Sequence, residues 1–354
     1  MTTLQALLGI ALPIVQAPMA GVQGSALAIA VSNAGALGSL PCAMLSSDTL
    51  RSELQLIRSH SRLPYNVNFF CHTPAAPDSD RERAWQAALR PYYEQFGLDM
   101  AAQPAGPGRA PFSAAVADLL EEFRPPVVSF HFGLPDAALM MRIKSWGSRV
   151  ISTATTVDEA RWLEAHGADA IIAQGLEAGG HRGMFLSDDL TTQSGTFTLL
   201  PQIVKAVSLP VIAAGGIADA AGIAAAMTLG AAGVQIGTAY LLCPEATTSA
   251  VHRAALQSEA ANHTALTNLF SGRPARGIVN RIIRELGPIG SVVPGFPLAT
   301  AAIAPLRAHA EKSGSGDFSP LWAGQNVSGC RVVPAQELTL GLAAGLVGRS
   351  SGLA

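Results

Sequence analysis

One imidazole stands in the run Gln174-Gly-Leu-Glu-Ala-Gly-Gly-His181-Arg-Gly183, directly behind the apolar stretch 170–173. Glycines let backbone approach a bulky ligand closely, and an imidazole supplies a base near neutral pH, so His181 is the candidate catalytic group. A second imidazole, His131, ends another apolar run and reads either as a substrate contact or as a core histidine bonded to a carbonyl. Two more glycine loops carry a different chemistry: Ala214-Gly215-Gly216-Ile217 before a helical pattern, and Gln235-Ile236-Gly237-Thr238 after the next apolar run. Amide N–H groups at a helix start, joined by the Thr238 hydroxyl, bind a phosphate dianion without needing a lysine.

Other residues at the ends of apolar runs are small, amide or apolar: Met19 in Ala17-Pro-Met19-Ala-Gly21, Asn68 in Asn66-Val-Asn68, and Gly179 and Gly180 beside His181. That set suits a flat, partly apolar, phosphorylated ligand better than a sugar or a metal. Glu177 and Asp169 make no acid/base pair, and no Ser-His-Asp or Cys-His constellation is legible. No cluster of histidines and carboxylates has metal-ligand spacing, so no metal is expected. His60, His166, His252, His263 and His309 fall on helical or polar stretches and read as surface residues.

These loops need a scaffold that gathers strand ends on one face. Short apolar runs recur at 14–17, 36–40, 65–68, 127–130, 149–152, 170–173, 210–213 and 233–236. Helical patterns at 25–33, 49–58, 135–146, 157–166, 199–207 and 219–229 separate most of them. Apolar strands alternating with helices imply parallel pairing with both faces covered, and eight units imply closure into a (β/α)8 TIM barrel. A doubly wound open sheet is the alternative, but neither GxGxxG after a strand nor GxxxxGK[ST] occurs. The expected organisation is a barrel over 1–243 with an insertion at about 72–126, after strand three, and a smaller, mainly helical lobe over 244–354. Within the insertion, helices are expected at 81–96 and 113–123, flanking a Pro/Gly/Ala-rich patch at 101–111. In the lobe, helical patterns run over 264–284 and 297–311, and residues 335–347 read as a helix returning to the barrel.

Composition narrows the partners. Of 354 residues, 49% are hydrophobic and 14% charged, enough for a large core. A net charge of -2 with no basic stripe argues against nucleic acid and anionic membranes. Cys42, Cys71, Cys243 and Cys330 are far apart, which fits free thiols in a reducing cytoplasm. The apolar region 208–242 is broken by Gly215, Gly216, Asp219 and Gly230 and reads as strand, loop, helix and strand rather than a membrane span. Nothing demands an interface, although so apolar a chain leaves a homo-oligomer open.

The blocks Pro13-Ile-Val-Gln-Ala-Pro-Met19, Asn68, Gln174-Gly-x-Glu-Ala-Gly-Gly-His181-x-Gly, Ala214-Gly-Gly-Ile217 and Gln235-Ile-Gly-Thr238 resemble the nitronate monooxygenases, formerly 2-nitropropane dioxygenases. The strand Val127-Val-Ser-Phe-His131-Phe-Gly and the tail Leu321-Trp-Ala-Gly-Gln325 are most similar to the bacterial class I group. The resemblance implies noncovalent FMN, its phosphate on Gly216, Gly237 and Thr238, with Asn68, Gln174 and Gly179 on the ribityl chain or flavin and Met19 by the ring. Gly180, Gly215, Gln235 and Ile236 complete the implied cofactor site. It further implies oxidation of alkyl nitronates such as propionate 3-nitronate by O2 through a flavin semiquinone, to carbonyl compounds and nitrite or nitrate. His181 would then orient the substrate anion or deprotonate a nitroalkane, and His131 would contact substrate. NADH-dependent FMN reductases of quinones or enoyl-acyl carrier protein share several of these blocks and are the alternative, ahead of a non-redox phosphate-binding barrel.

Overall fold

The computed structural model describes residues 3–101, 109–344 and 346. Its strands are β1 (Ile14–Gln16), β2 (Gly38–Pro41), β3 (Tyr65–Phe70), β4 (Val127–His131), β5 (Arg149–Ala154), β6 (Ala170–Gln174), the two-residue β7 (Gly180–His181), β8 (Val211–Ala214), β9 (Gly233–Ile236), β10 (Thr264–Thr267) and β11 (Ala275–Ile278). Eight of them form one parallel sheet in the order β1-β9-β8-β6-β5-β4-β3-β2. A parallel bridge between Val15 and Leu37, beside β2, closes the ring into a barrel.

Burial explains why these runs become strands. Nearly every residue of the eight is buried on both the inner and the helix-facing side, which suits their largely apolar sequence. Between them lie helices such as Ser25–Asn33, Ser47–His60, Val157–Ala165 and Ala220–Thr228. Side-chain caps start several: Ser46 accepts from the Thr49 amide, Thr156 from Glu159 and Asp219 from Gly222. Packing of Ser25–Asn33 on β2 is close enough that a Cβ at Gly38 would lie 1.9 Å from the Ala28 carbonyl oxygen, so only glycine fits there.

The barrel interior has a polar layer. Asn66 donates to Ser39 Oγ and Ser129 Oγ, Asn68 donates to Ser129 Oγ, and Gln16 is bonded to Gln23. Its donors are engaged while Asn66 Oδ1 stays buried without a partner, and the bonds between facing side chains hold the layer as a floor under the strand ends.

The insertion holds helices Ser79–Phe96 and Ala114–Phe123; of the Pro/Gly/Ala-rich patch between them, residues 102–108 lie outside the described residues. Trp85 Nε1 donates to the Ala299 carbonyl and Tyr93 Oη to the Ala302 carbonyl, joining the insertion to helix Ala299–Lys312. One expectation fails here: the pattern at 264–284 is not a helix. It is the antiparallel hairpin β10–β11 followed by the short helix Arg281–Leu286. The reason is tertiary, because β11 also pairs with β7, and the backbone of the His181 loop supplies a strand edge that local periodicity cannot reveal. Helix Ala335–Ala343 does return to the barrel, packing against Ser25–Asn33 and Ala220–Thr228. Tyr240 Oη and Thr339 Oγ1, 2.9 Å apart, tie it down; residues 345 and 347, once expected to extend it, lie outside the described residues. Among the described residues no helix is long and apolar enough to cross a membrane.

Candidate active site

The C-terminal ends of the strands open into one cavity, and the glycine loops after β6, β8 and β9 meet along its wall. Gly215 and Gly216 have φ of 119° and 74°, conformations that turn the chain from β8 toward the helix Ala220–Thr228 and that side chains resist. Thr238 Oγ1 accepts the Gly324 N–H at 2.9 Å, which leaves its hydroxyl proton free to donate. Asn326 Nδ2 donates to the Gly216 carbonyl at 3.0 Å. The tail around 322–326 therefore runs across both phosphate-type loops. It passes so near the His181 loop that a Cβ on Gly179 would lie 2.6 Å from the backbone of Ala323 and Gly324.

Met19, Asn68, Gln174, Gly179, Gly180, Gly215, Gly216, Gln235, Gly237 and Thr238 all line this cavity, as do His131 and His181. Ile236 does not. It is 1% exposed and packs in the core with Ile14, Leu27 and Val234, because alternation along β9 sends its side chain to the helix layer while Gln235 faces inward. Gln235 Oε1 is buried without a hydrogen-bond partner, a polar atom aimed at the place where a ligand would sit.

His181 is held on every side. Its residue pairs with Ala275 of β11, and its carbonyl accepts from Gln174 Nε2 at 3.0 Å and from His131 Nε2 at 3.1 Å. Its own Nε2 lies 2.8 Å from Ser271 Oγ, leaving Nδ1 as the ring nitrogen available to a ligand. The other end of the Gln174 amide accepts the Gly183 N–H, so that side chain staples the loop at both ends. Next to His181, the fully buried Arg182 donates to the Gln174 and Gly175 carbonyls and to Gln193 Oε1. Glu177 lies at the same turn and caps helix Thr196–Ala206 by accepting the Thr196 amide and hydroxyl. Its Glu is thus a positioning group, and the preceding Gly195 has no side chain to do this work.

Burial, Arg109, His131, Arg273 and His72 together hold the His181 pKa well below that of a free histidine. The fold thus disfavours the protonated ring of His181, where the sequence alone suggests a base near neutral pH. Burial lowers His131 to about 4 as well, against the opposing effect of its bond to the His181 carbonyl.

Several cavity residues escape a reading of the sequence. Arg109 comes from the insertion, while Phe70, His252 and Trp322 join the lining and Phe296 packs edge-on to His181 at 5.4 Å. His252, expected on the surface, is 4% exposed with Nε2 bonded to the Trp322 carbonyl, because the tail folds over its helix. His72 is buried against Phe296 with Nδ1 unpartnered. Their only sequence signal is residue type, since none stands in a glycine loop. Cys243 is a buried free thiol whose pKa burial raises to about 12, which suits packing rather than nucleophilic attack. Among the described residues no group of His, Cys, Asp and Glu could hold a metal ion.

Comparison with known proteins fits this geometry. The nitronate monooxygenase family pattern matches residues 1–345. A nitronate monooxygenase of Pseudomonas aeruginosa is 44% identical over 339 residues, covering 94% of this chain and 95% of that protein. Another, from Paraburkholderia phytofirmans, is 43% identical, covering 94% and 91%. Among solved structures, nitroalkane oxidase from Streptomyces ansochromogenes superposes with a TM-score of 0.89 at 39% identity, covering 98% of each chain. FabK of Thermotoga maritima gives 0.73 at 26% identity over 98% of this chain and 96% of its own. A closed barrel with its glycine loops and the imidazoles of His131 and His181 at the strand ends, matched nearly end to end by these relatives, makes this chain an enzyme of the nitronate monooxygenase family.

Proposed function

We propose that the protein is an FMN-dependent nitronate monooxygenase, oxidising alkyl nitronates such as propionate 3-nitronate with O2 to carbonyl compounds and nitrite or nitrate. One observation carries this reading: a single cavity joins the Gly215-Gly216 and Gly237-Thr238 loops to His181. The residues fit FMN. Gly216, Gly237 and the free hydroxyl proton of Thr238 suit its phosphate, and the unpartnered Gln235 Oε1 suits a donor on the ligand. Asn68, Gly179, Gly180 and Met19 line the remaining length for ribityl and ring, whereas Gln174 contributes mainly through the loop that it staples.

Bound FMN would supply the electron transfer between substrate and O2. The chain's own groups bind and orient. His181 presents a neutral ring fixed by Ser271, able to hydrogen-bond an anionic nitronate or to accept a proton from a nitroalkane. Phe70 and Trp322 in the lining and Phe296 against His181 exclude water from the reacting carbon.

The test uses the protein as purified. Heat release of a yellow compound that chromatographs as FMN, with O2 uptake and nitrite formation on adding propionate 3-nitronate, is the expected result. A colourless protein, or rapid anaerobic bleaching by NADH with no response to nitronate, would overturn it.

A further inference from the structure

We propose that Arg109 is the anion receptor of this cavity, binding the planar two-oxygen end of the substrate, nitronate or carboxylate, beside His181.

Four observations lead there. Arg109 lines the same cavity as His181 and Phe70, although it comes from the insertion. Its Nη1 donates to Thr300 Oγ1 at 2.8 Å, and Thr300 in turn donates to the Phe270 carbonyl, which fixes one corner of the guanidinium. Its Cζ lies 5.8 Å from the centre of the Phe296 ring, whose centre is 5.4 Å from that of His181. Finally, among the described residues no carboxylate forms an ion pair with Arg109.

The other arginines around the cavity differ: the buried Arg276 is spent on the Leu176 carbonyl and Thr264 Oγ1. Arg182 and Arg253 are saturated by carbonyl and amide oxygens, and Arg273 stacks on Phe132 at 4.1 Å without lining the cavity. Arg109 keeps most of its donors for a ligand. A guanidinium fork matches two coplanar oxygens, and a buried cation without a counter-ion gains most from one. Its neighbours agree: burial and then Arg109 lower the His181 pKa, and burial, Arg273 and Arg109 lower that of His72 to about 4 against a bond to the Arg109 backbone, so both rings disfavour the cation. Burial, and after it repulsion by Arg307, disfavour the charged guanidinium of Arg109, a penalty that a bound anion relieves. A neutral nitroalkane lacks that charge, so the same residue discriminates nitronate from its conjugate acid.

The substrate in this proposal rests on the nitronate reading, but the binding test does not. Acetate, an unreactive planar anion, is titrated calorimetrically into the purified protein and into the Arg109→Gln and Arg109→Lys variants, with melting temperature and flavin content checked for each. The expected result is acetate binding weakened about 10- to 100-fold in Arg109→Gln, partly rescued in Arg109→Lys, with flavin retained. In parallel, KM is compared for ethyl nitronate and propionate 3-nitronate. A rise for both assigns Arg109 to the nitronate group; a rise for propionate 3-nitronate alone assigns it to the carboxylate. Unchanged acetate affinity in folded Arg109→Gln, or loss of flavin from it, overturns the proposal. If acetate binding depends on Arg109 but neither nitronate is oxidised, the receptor stands and the functional reading falls.

Discussion

The ring of His131 donates from Nε2 to the main-chain carbonyl of His181 at 3.1 Å, while Thr153 Oγ1 sits 3.1 Å from its Nδ1. With both nitrogens engaged, His131 fixes the strand β7 that carries His181 and acts as a positioning residue. Replacing it by Phe keeps the volume and removes the donor. Turnover should fall about 10-fold with KM and flavin content little changed, and denaturant unfolding should show a loss of about 1–3 kcal/mol. A wild-type kcat in His131→Phe would deny the ring any hold on His181.

His181→Asn should retain flavin and lower turnover about 100-fold, since Asn can still hydrogen-bond but cannot take the place of an imidazole as proton acceptor. Steady-state rates and the flavin-to-protein ratio, measured on the same preparation, check both halves.

Arg182 anchors two carbonyls and Gln193 from a fully buried position. Arg182→Met should destabilise the fold by about 3–5 kcal/mol, because the acceptors stay buried without a donor. Arg182→Lys keeps the charge but not the fork and should recover only part of it, as read from urea midpoints at constant m.

Burial lowers His131 and His252 to about 4 from 6.5, and His181 shifts in the same direction. A lowered histidine pKa means that the fold prefers the neutral ring. Its stabilising contribution is complete above pH 6.5 and is lost as pH falls from 6.5 toward 4. Each such ring steepens the acid limb by up to about 1.4 kcal/mol per pH unit. Urea midpoints measured between pH 7 and 4.5 should therefore drop steadily, and His252→Gln should flatten the slope.

Gly179 and Gly180 stand side by side but should respond differently to alanine. At Gly179 a Cβ would strike the Ala323–Gly324 backbone at 2.6 Å, whereas at Gly180 nothing lies within 4 Å and only its φ of 72° resists. Gly179→Ala should displace the tail from the phosphate loops and weaken flavin binding at least about 10-fold. Gly180→Ala should cost about 1 kcal/mol of stability and spare the cofactor. Flavin Kd by fluorescence quenching separates the two.

Much of the barrel was legible because its signals are local. Apolar runs fix strands, and paired glycines such as Gly215 and Gly216 mark turns that only glycine makes easily. Of the cofactor set read from the sequence, Ile236 alone misses the cavity, since a motif match ignores which way a strand residue faces. Illegible residues share one property: their partners are far away in sequence. Ser271 meets His181, Gly324 meets Thr238, and Arg109 meets Thr300, each across a long stretch of chain. The hairpin β10–β11 was misread as helix for the same reason, because the strand edge that it joins belongs to the His181 loop.

Helix Ala335–Ala343 covers Ser25–Asn33, a helix near the other end of the chain. A nascent chain thus has all eight barrel strands long before it can close its outer wall. Until this helix emerges from the ribosome, apolar side chains on Ser25–Asn33 remain uncovered. A chain lacking Ala335–Ala343 would keep its closed ring of strands yet expose the apolar surface that this helix covers, and so would be prone to aggregate.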